Sequence, residues 1–279
     1  MKNFVFVLFA FALISCSTMD GVRYLAEAAK PKAAEPAQPA QPAQPASDQK
    51  ASAPKSASTS GLDTSAKADW ARYSNPAASG KSFGPGADLS AASGSALGTL
   101  KAGEWAVYRT VENGQTKEIL KMAVVSQQAD TWVYEFVSVS DKDSAVVQEA
   151  VKGLDAVVQT GDADKGQVLW IKVKDKEGKV QTLEGAMLGV AGAGYKNMLT
   201  ANAAHFSGTV VAGGPVTVPA GTFSSTWKAD SKSAQGRGSG TAWVSTVVPL
   251  WHLIKGVGQS GHVLELVDFG TSGYQSALP

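Results

Sequence analysis

The stretch WAVYRTVENGQTKEILKMAVVSQQADTWVYEFVSV, residues 105–139, carries the fold class. Side chains of a strand alternate between the two faces of its sheet. Trp105, Val107, Arg109 and Val111 accordingly fall on one face, and Ala106, Tyr108 and Thr110 on the other. Asn113-Gly114 then supplies the positive-φ pair that a type I′ hairpin turn wants, and residues 116–126 form the returning strand. A third strand runs over 131–139, with Trp132, Tyr134 and Phe136 on one face and Val133, Val137 and Val139 on the other. Both faces are therefore apolar, as in a sheet that is covered by helices on one side or lines a cavity on the other. Trp132, Tyr134 and Phe136 are the candidate lining of a ligand cavity, and a solid core is the alternative, because bulky aromatics dominate ordinary cores as well.

Downstream, Val147, Ala150, Val151, Leu154, Val157 and Val158 recur at helical spacing, which predicts an amphipathic helix over 143–160, capped by Asp143 or Ser144 and stopped by Gly161. Residues 167–174 and 179–183 read as a second hairpin. A second helix is expected over 186–200, although Gly189, Gly192 and Gly194 each cost it about 1 kcal/mol relative to alanine. The last eighty or so residues return to strands near 208–218, 222–230, 238–246, 252–259 and 262–270, the first two joined by the turn Val218-Pro219-Ala220-Gly221. The expected fold is mainly β (α+β): an antiparallel sheet with two helices, occupying residues 99–279.

The region before it is different in kind. Eight of the twelve prolines lie between Pro31 and Pro85, whereas six of the seven tryptophans follow Glu104. Residues 16–98, rich in Ala, Pro, Ser, Gly and Gln, bury too little apolar surface to offset their ordering entropy, and they are expected to form a disordered tether. Proline at every third position from Pro36 to Pro45 favours extended polyproline II. Trp70, Tyr73 and Phe83 are isolated aromatics in this segment; they pin it onto the domain or a partner, or pack casually.

At the extreme amino terminus, Lys2 precedes an apolar run of 11 residues, Phe4 to Ile14, which is signal-peptide length and too short to span about 30 Å of hydrocarbon. Residues 1–15 thus read as a signal peptide. Leu13-Ile14-Ser15-Cys16 resembles the bacterial lipobox. That resemblance implies that Cys16 becomes the first mature residue, carrying diacylglycerol on sulfur and an acyl group on nitrogen, and that it anchors the chain to a membrane without a transmembrane helix. Ser17 in place of aspartate implies outer-membrane delivery, by similarity to enterobacterial sorting signals.

A second resemblance rests on Val218-Pro219-Ala220-Gly221-Thr222-Phe223, Trp243-Val244-Ser245, Val248-Pro249-Leu250, Ile254-Lys255 and Glu265-Leu266-Val267-Asp268-Phe269-Gly270. These segments are similar to the Lol-type lipoprotein carrier and receptor superfamily. The resemblance implies a curved antiparallel half-barrel closed by helices around a hydrophobic cavity. Here Trp251-His252 follow the Val-Pro-Leu triplet, where members of that superfamily usually have glycine.

Other chemistry is thinly represented. A single cysteine excludes an intramolecular disulfide and a multi-thiolate zinc site. A net charge of +1 gives no nucleic-acid footprint. His205, His252 and His262 lack metal-ligand spacing. Residues 79–82, 161–166 and 258–262 fall short of a phosphate loop, a calcium loop and a nucleophile elbow. Lys172, Lys174, Lys176 and Lys179 read as a solvated edge or turn. No catalytic residue, metal site or cofactor is expected beyond the lipid on Cys16. The function expected is that of a non-enzymatic envelope lipoprotein binding a hydrophobic or lipid-like ligand. The alternative is an interaction lipoprotein with a solid core and a protein or cell-wall partner.

Overall fold

The structure, a computed structural model, describes residues 64–89, 100–156, 165–174, 178–185, 188, 210–232, 239–258 and 261–278. Helix α1 (Thr64–Tyr73) and the short β1 (Ser82–Phe83) precede a run of strands. These are β2 (Trp105–Glu112), β3 (Gln115–Gln128), β4 (Thr131–Val139), β5 (Ser144–Lys152), β6 (Gln167–Lys174) and β7 (Val180–Glu184). After them come β8 (Val210–Val218), β9 (Gly221–Lys232), β10 (Ser239–Val244), β11 (Leu253–Gly258) and β12 (Val263–Gly270). All belong to one sheet, ordered β9-β10-β11-β12-β2-β3-β4-β5-β6-β7. β8 lies along one edge of β9, while β1 and β10 share its other edge. Every pairing is antiparallel except that of β1 with β9. The expected hairpin turn is present, with Asn113 at φ 51° and Gly114 at φ 75°.

The sheet does not close into a barrel, but it curls. One contiguous cluster takes in Leu183 of β7, Ile171 of β6, Trp132, Tyr134 and Phe136 of β4, Leu266 of β12 and Phe223 of β9. Strands so far apart in pairing order share one core only if the sheet bends around it. The opposite, convex face carries a smaller cluster, in which Ala66, Trp70 and Tyr73 of α1 pack on Val107, Ile119, Val137, Val139 and Val146. Among the described residues no helix is long and apolar enough to cross a membrane.

Two expectations are revised. The helix predicted over 143–160 is instead strand β5 from Ser144 to Lys152, followed by a turn at Gly153 (φ 75°) and a helical turn at 154–156. The cause is burial on both faces. Seven consecutive residues of β5, Ala145 to Val151, are buried, so apolar side chains are wanted at odd and even positions alike, and a helix-like spacing arises by accident. The second helix expected, over 186–200, lies outside the described residues apart from Leu188, which packs against the concave core. The second revision concerns residues 64–89, which fall within the expected tether yet form part of the fold. α1 covers the convex face, and Phe83 stacks on Phe223 with ring centroids 4.6 Å apart. Ser79 N–H donates to Pro219 O at 3.0 Å, and Leu89 is buried in the concave core. The isolated aromatics of this segment therefore hold it to the domain.

Candidate functional site

β4 and β5 pair in simple antiparallel register, with Trp132 opposite Val151, Tyr134 opposite Glu149 and Phe136 opposite Val147. Residues directly opposite share a face, so the aromatic row and Glu149 all point into the concave interior. β6 adds Ile171 opposite Glu149 and Val173 opposite Val147. The structure thus brings the three cavity candidates together, with Tyr134 and Phe136 stacked at 6.5 Å and 18°. The row is covered: Trp132 and Tyr134 are 2% exposed and Phe136 6%. Cys16 lies outside the described residues.

Among the described residues, two side chains in this apolar setting have no partner. Both carboxyl oxygens of Glu149, a fully buried residue, and Nε1 of Trp132 make no hydrogen bond. Burial pushes the Glu149 carboxyl up to about 8, since a charge in a low-dielectric interior loses its hydration. It is therefore mostly protonated at neutral pH. The Tyr134 phenol is held well above its ordinary range, by burial first and then by the acidic neighbours Glu104, Glu149 and Asp155. Burial likewise raises Glu104, against the opposing effect of a hydrogen bond from Lys101 N–H.

The contrast with Glu135 shows what this sheet does with a carboxylate that serves structure. Glu135 is just as buried, one position along β4 from Tyr134, but it faces the convex side. Its Oε1 accepts from Tyr274 OH at 2.6 Å and Ala277 N–H at 2.8 Å. Its Oε2 accepts from Gln148 Nε2 at 3.1 Å and lies 2.6 Å from Ser276 Oγ. The carboxyl-terminal segment is thereby fastened over the sheet. Buried polar groups are overwhelmingly hydrogen-bonded, and Glu135 meets that rule whereas Glu149 breaks it. The apolar residues of β5 fit a helical period as well as a strand's, which hides the alternation that places Glu149 beside the aromatic row. With Ser144–Lys152 as a strand, pairing parity alone would have found it.

One margin of the interior is formed by the loop after β10. Leu250 and His252 adopt left-handed φ angles of 64° and 54°, which cost a non-glycine residue of order 1–3 kcal/mol and persist only where the surroundings enforce them. Ser245 N–H donates to His252 O at 2.8 Å, His252 Nδ1 lies 2.5 Å from Val248 O, and Trp251 packs 6.0 Å from the ring of Tyr108. Trp251 thus stands directly after the Val-Pro-Leu triplet, and the buried His252 follows it in a left-handed conformation. His262 pairs with Glu112 at 2.9 Å on another loop, and His205 lies outside the described residues.

A second concavity of about 580 Å³ lies on the convex face, between α1 and the carboxyl-terminal segment, and is lined by Asp69, Arg72, Lys121, Lys174 and Tyr274 among others. Its charges are partly committed: Lys121 to Asp69 at 2.8 Å and Arg72 to Asp268 at 3.2 Å.

No protein-family model matches the chain, and no curated protein matches it. Among solved structures it is similar to a Bacteroides fragilis protein with a YmcC-like fold that is described as exported. The identity is 12% and the TM-score 0.31, over 61% of this chain and 97% of the other. It is also similar to a hypothetical protein of Chlamydia trachomatis, with 10% identity and a TM-score of 0.35, over 67% and 98% of the two chains. Similarity at this level carries no statement about function, and the resemblance to lipoprotein carriers rests on its sequence motifs alone.

Proposed function

We propose that the protein is a non-enzymatic lipoprotein of the bacterial cell envelope, held on the outer membrane by acylated Cys16, whose curved sheet takes up a hydrophobic or lipid-like ligand on its concave side. The supporting observation is the concave face of β4 and β5, an aromatic and aliphatic surface that carries polar atoms with no protein partner. Ligand sites have this make-up: mostly apolar lining with a few polar groups that fix orientation. Native mass spectrometry of the full chain, together with uptake of a neutral hydrophobic dye such as N-phenylnaphthylamine, tests the reading. Co-purifying lipid mass and dye binding that is weakened by Tyr134→Ala are expected. A clean ligand-free mass with no dye uptake overturns it.

The covered state of the aromatic row and the cleft on the convex face favour a second reading, a lipoprotein with a filled interior that binds an envelope protein or cell-wall partner beneath α1. The same dye experiment separates the two, since a filled interior takes up nothing.

A further inference from the structure

The orphaned groups define what the ligand must bring. Among the described residues, Glu149 offers two oxygens and receives nothing, and Trp132 Nε1–H, its diagonal neighbour across the β4–β5 pair, offers a donor and finds no acceptor. Diagonal positions lie roughly 7–8 Å apart, within reach of one head group. No basic side chain of β3 to β6 compensates on this face. Lys121, Lys152, Lys172 and Lys174 all have the opposite parity, lying opposite Val137, Thr131, Gln148 and Val146 respectively. Among the described residues, the groups opposite Glu149 are Tyr134 from β4 and Ile171 from β6. Asp155 of the turn after β5 and Glu104 before β2 act on Tyr134 in the same electrostatic sense as Glu149, and Lys101 offsets Glu104 alone. An interior with acidic groups and π faces, and no cation of its own on these strands, suits a positive charge.

We propose that the concave face of β4 and β5 is a subsite for the ammonium head of an amphiphilic amine. Glu149 is its counter-ion, Trp132 Nε1–H donates to a neighbouring hydroxyl, ester or phosphate oxygen, and the aromatic row lies along the adjoining carbons. The inference rests on the hydrophobic-ligand reading above and specifies its head group. The proton balance is definite. The ammonium enters a site whose carboxyl is neutral, the carboxyl gives its proton to solvent, and an ammonium–carboxylate pair remains, so one proton is released per amine bound. Burial raises the acid to about 8, and amine affinity therefore climbs with pH below that value, by roughly tenfold per unit for a single linked proton.

The test uses the full chain carrying Cys16→Ser, which needs no bilayer, and displacement of the neutral dye by dodecylamine, dodecanol and dodecanoate between pH 5 and 8. Dodecylamine is expected to displace the dye at least tenfold more effectively than dodecanol at pH 7, and increasingly so as pH rises from 5 to 8, while dodecanol stays flat and dodecanoate is weakest. Glu149→Gln is expected to bring dodecylamine down to the level of dodecanol at every pH, removing the amine preference and its pH dependence, and not to lower Tm. Equal binding of amine and alcohol, or an amine preference that survives Glu149→Gln, overturns the head-group inference and leaves the hydrophobic-ligand reading standing. Dye that never binds overturns both.

Discussion

Glu149 and Glu135 are adjacent in the sheet, equally buried and opposite in consequence. Removing Glu135 strips Tyr274, Ser276 and the Ala277 amide of their common acceptor. Glu135→Ala is expected to lower stability by about 3 kcal/mol and to loosen the carboxyl-terminal segment, read by denaturant unfolding and amide exchange at 274–278. Glu149 works the other way. Its folded value of about 8 lies above the ordinary glutamate value of about 4.5, so the unfolded chain gives up the proton first. Its effect is absent below about pH 4.5, destabilises progressively as pH rises toward 8, and is constant above. Glu149→Gln is therefore expected to be more stable than the parent by a margin that grows between pH 5 and pH 8. A margin independent of pH would show that the carboxyl is solvated in the folded state. That a glutamate occurs at 149 is plain in the sequence, but its lack of partners depends on what every neighbouring strand places opposite it, and no local pattern records that.

At the scale of elements, β2 to β4, the two hairpin strands β6 and β7 and the five strands from β8 were legible because each follows period-two alternation or is bounded by a turn with its own chemistry. β5 was not, for a physical reason. A strand buried on both faces has no polar side to mark its period, and its Val and Ala residues satisfy a helical spacing equally well. α1 was missed for the converse reason: its apolar face amounts to Ala66, Trp70 and Tyr73 within a segment whose composition is that of a linker. The cost of the omission is measurable. A chain beginning at residue 64 is expected to match the full-length protein in Tm. One beginning at residue 99 loses Tyr73, Phe83 and Leu89 from the two cores and is expected to be destabilised by several kcal/mol, since truncating one large buried side chain already costs about 2–5 kcal/mol. Equal stability of the two chains would return α1 and β1 to the tether.

At the scale of the whole molecule, the proposed anchor and the folded domain are separate devices, and they fail separately. Cys16→Ser is expected to abolish labelling by radioactive palmitate, with no change in the domain's unfolding transition. Label that persists in this variant would place acylation elsewhere in the chain. A resemblance to a lipobox can be noticed without a fold because a lipidation signal is a short linear code, whereas the curl of the sheet cannot, being a property of strands that lie more than a hundred residues apart. The pairing of β12 with β2 is the clearest instance, joining residues 263–270 to 105–111 in the interior of the sheet order. Chains ending at residue 258 are accordingly expected to show no cooperative unfolding, rather than a smaller version of the parent transition. A sheet whose interior seam joins β2 to a strand more than a hundred residues downstream keeps its halves waiting for each other. While the chain emerges, β2 to β7 hold an open flank where β12 belongs, and only a molecule that has delivered residues 263–270 can shut it.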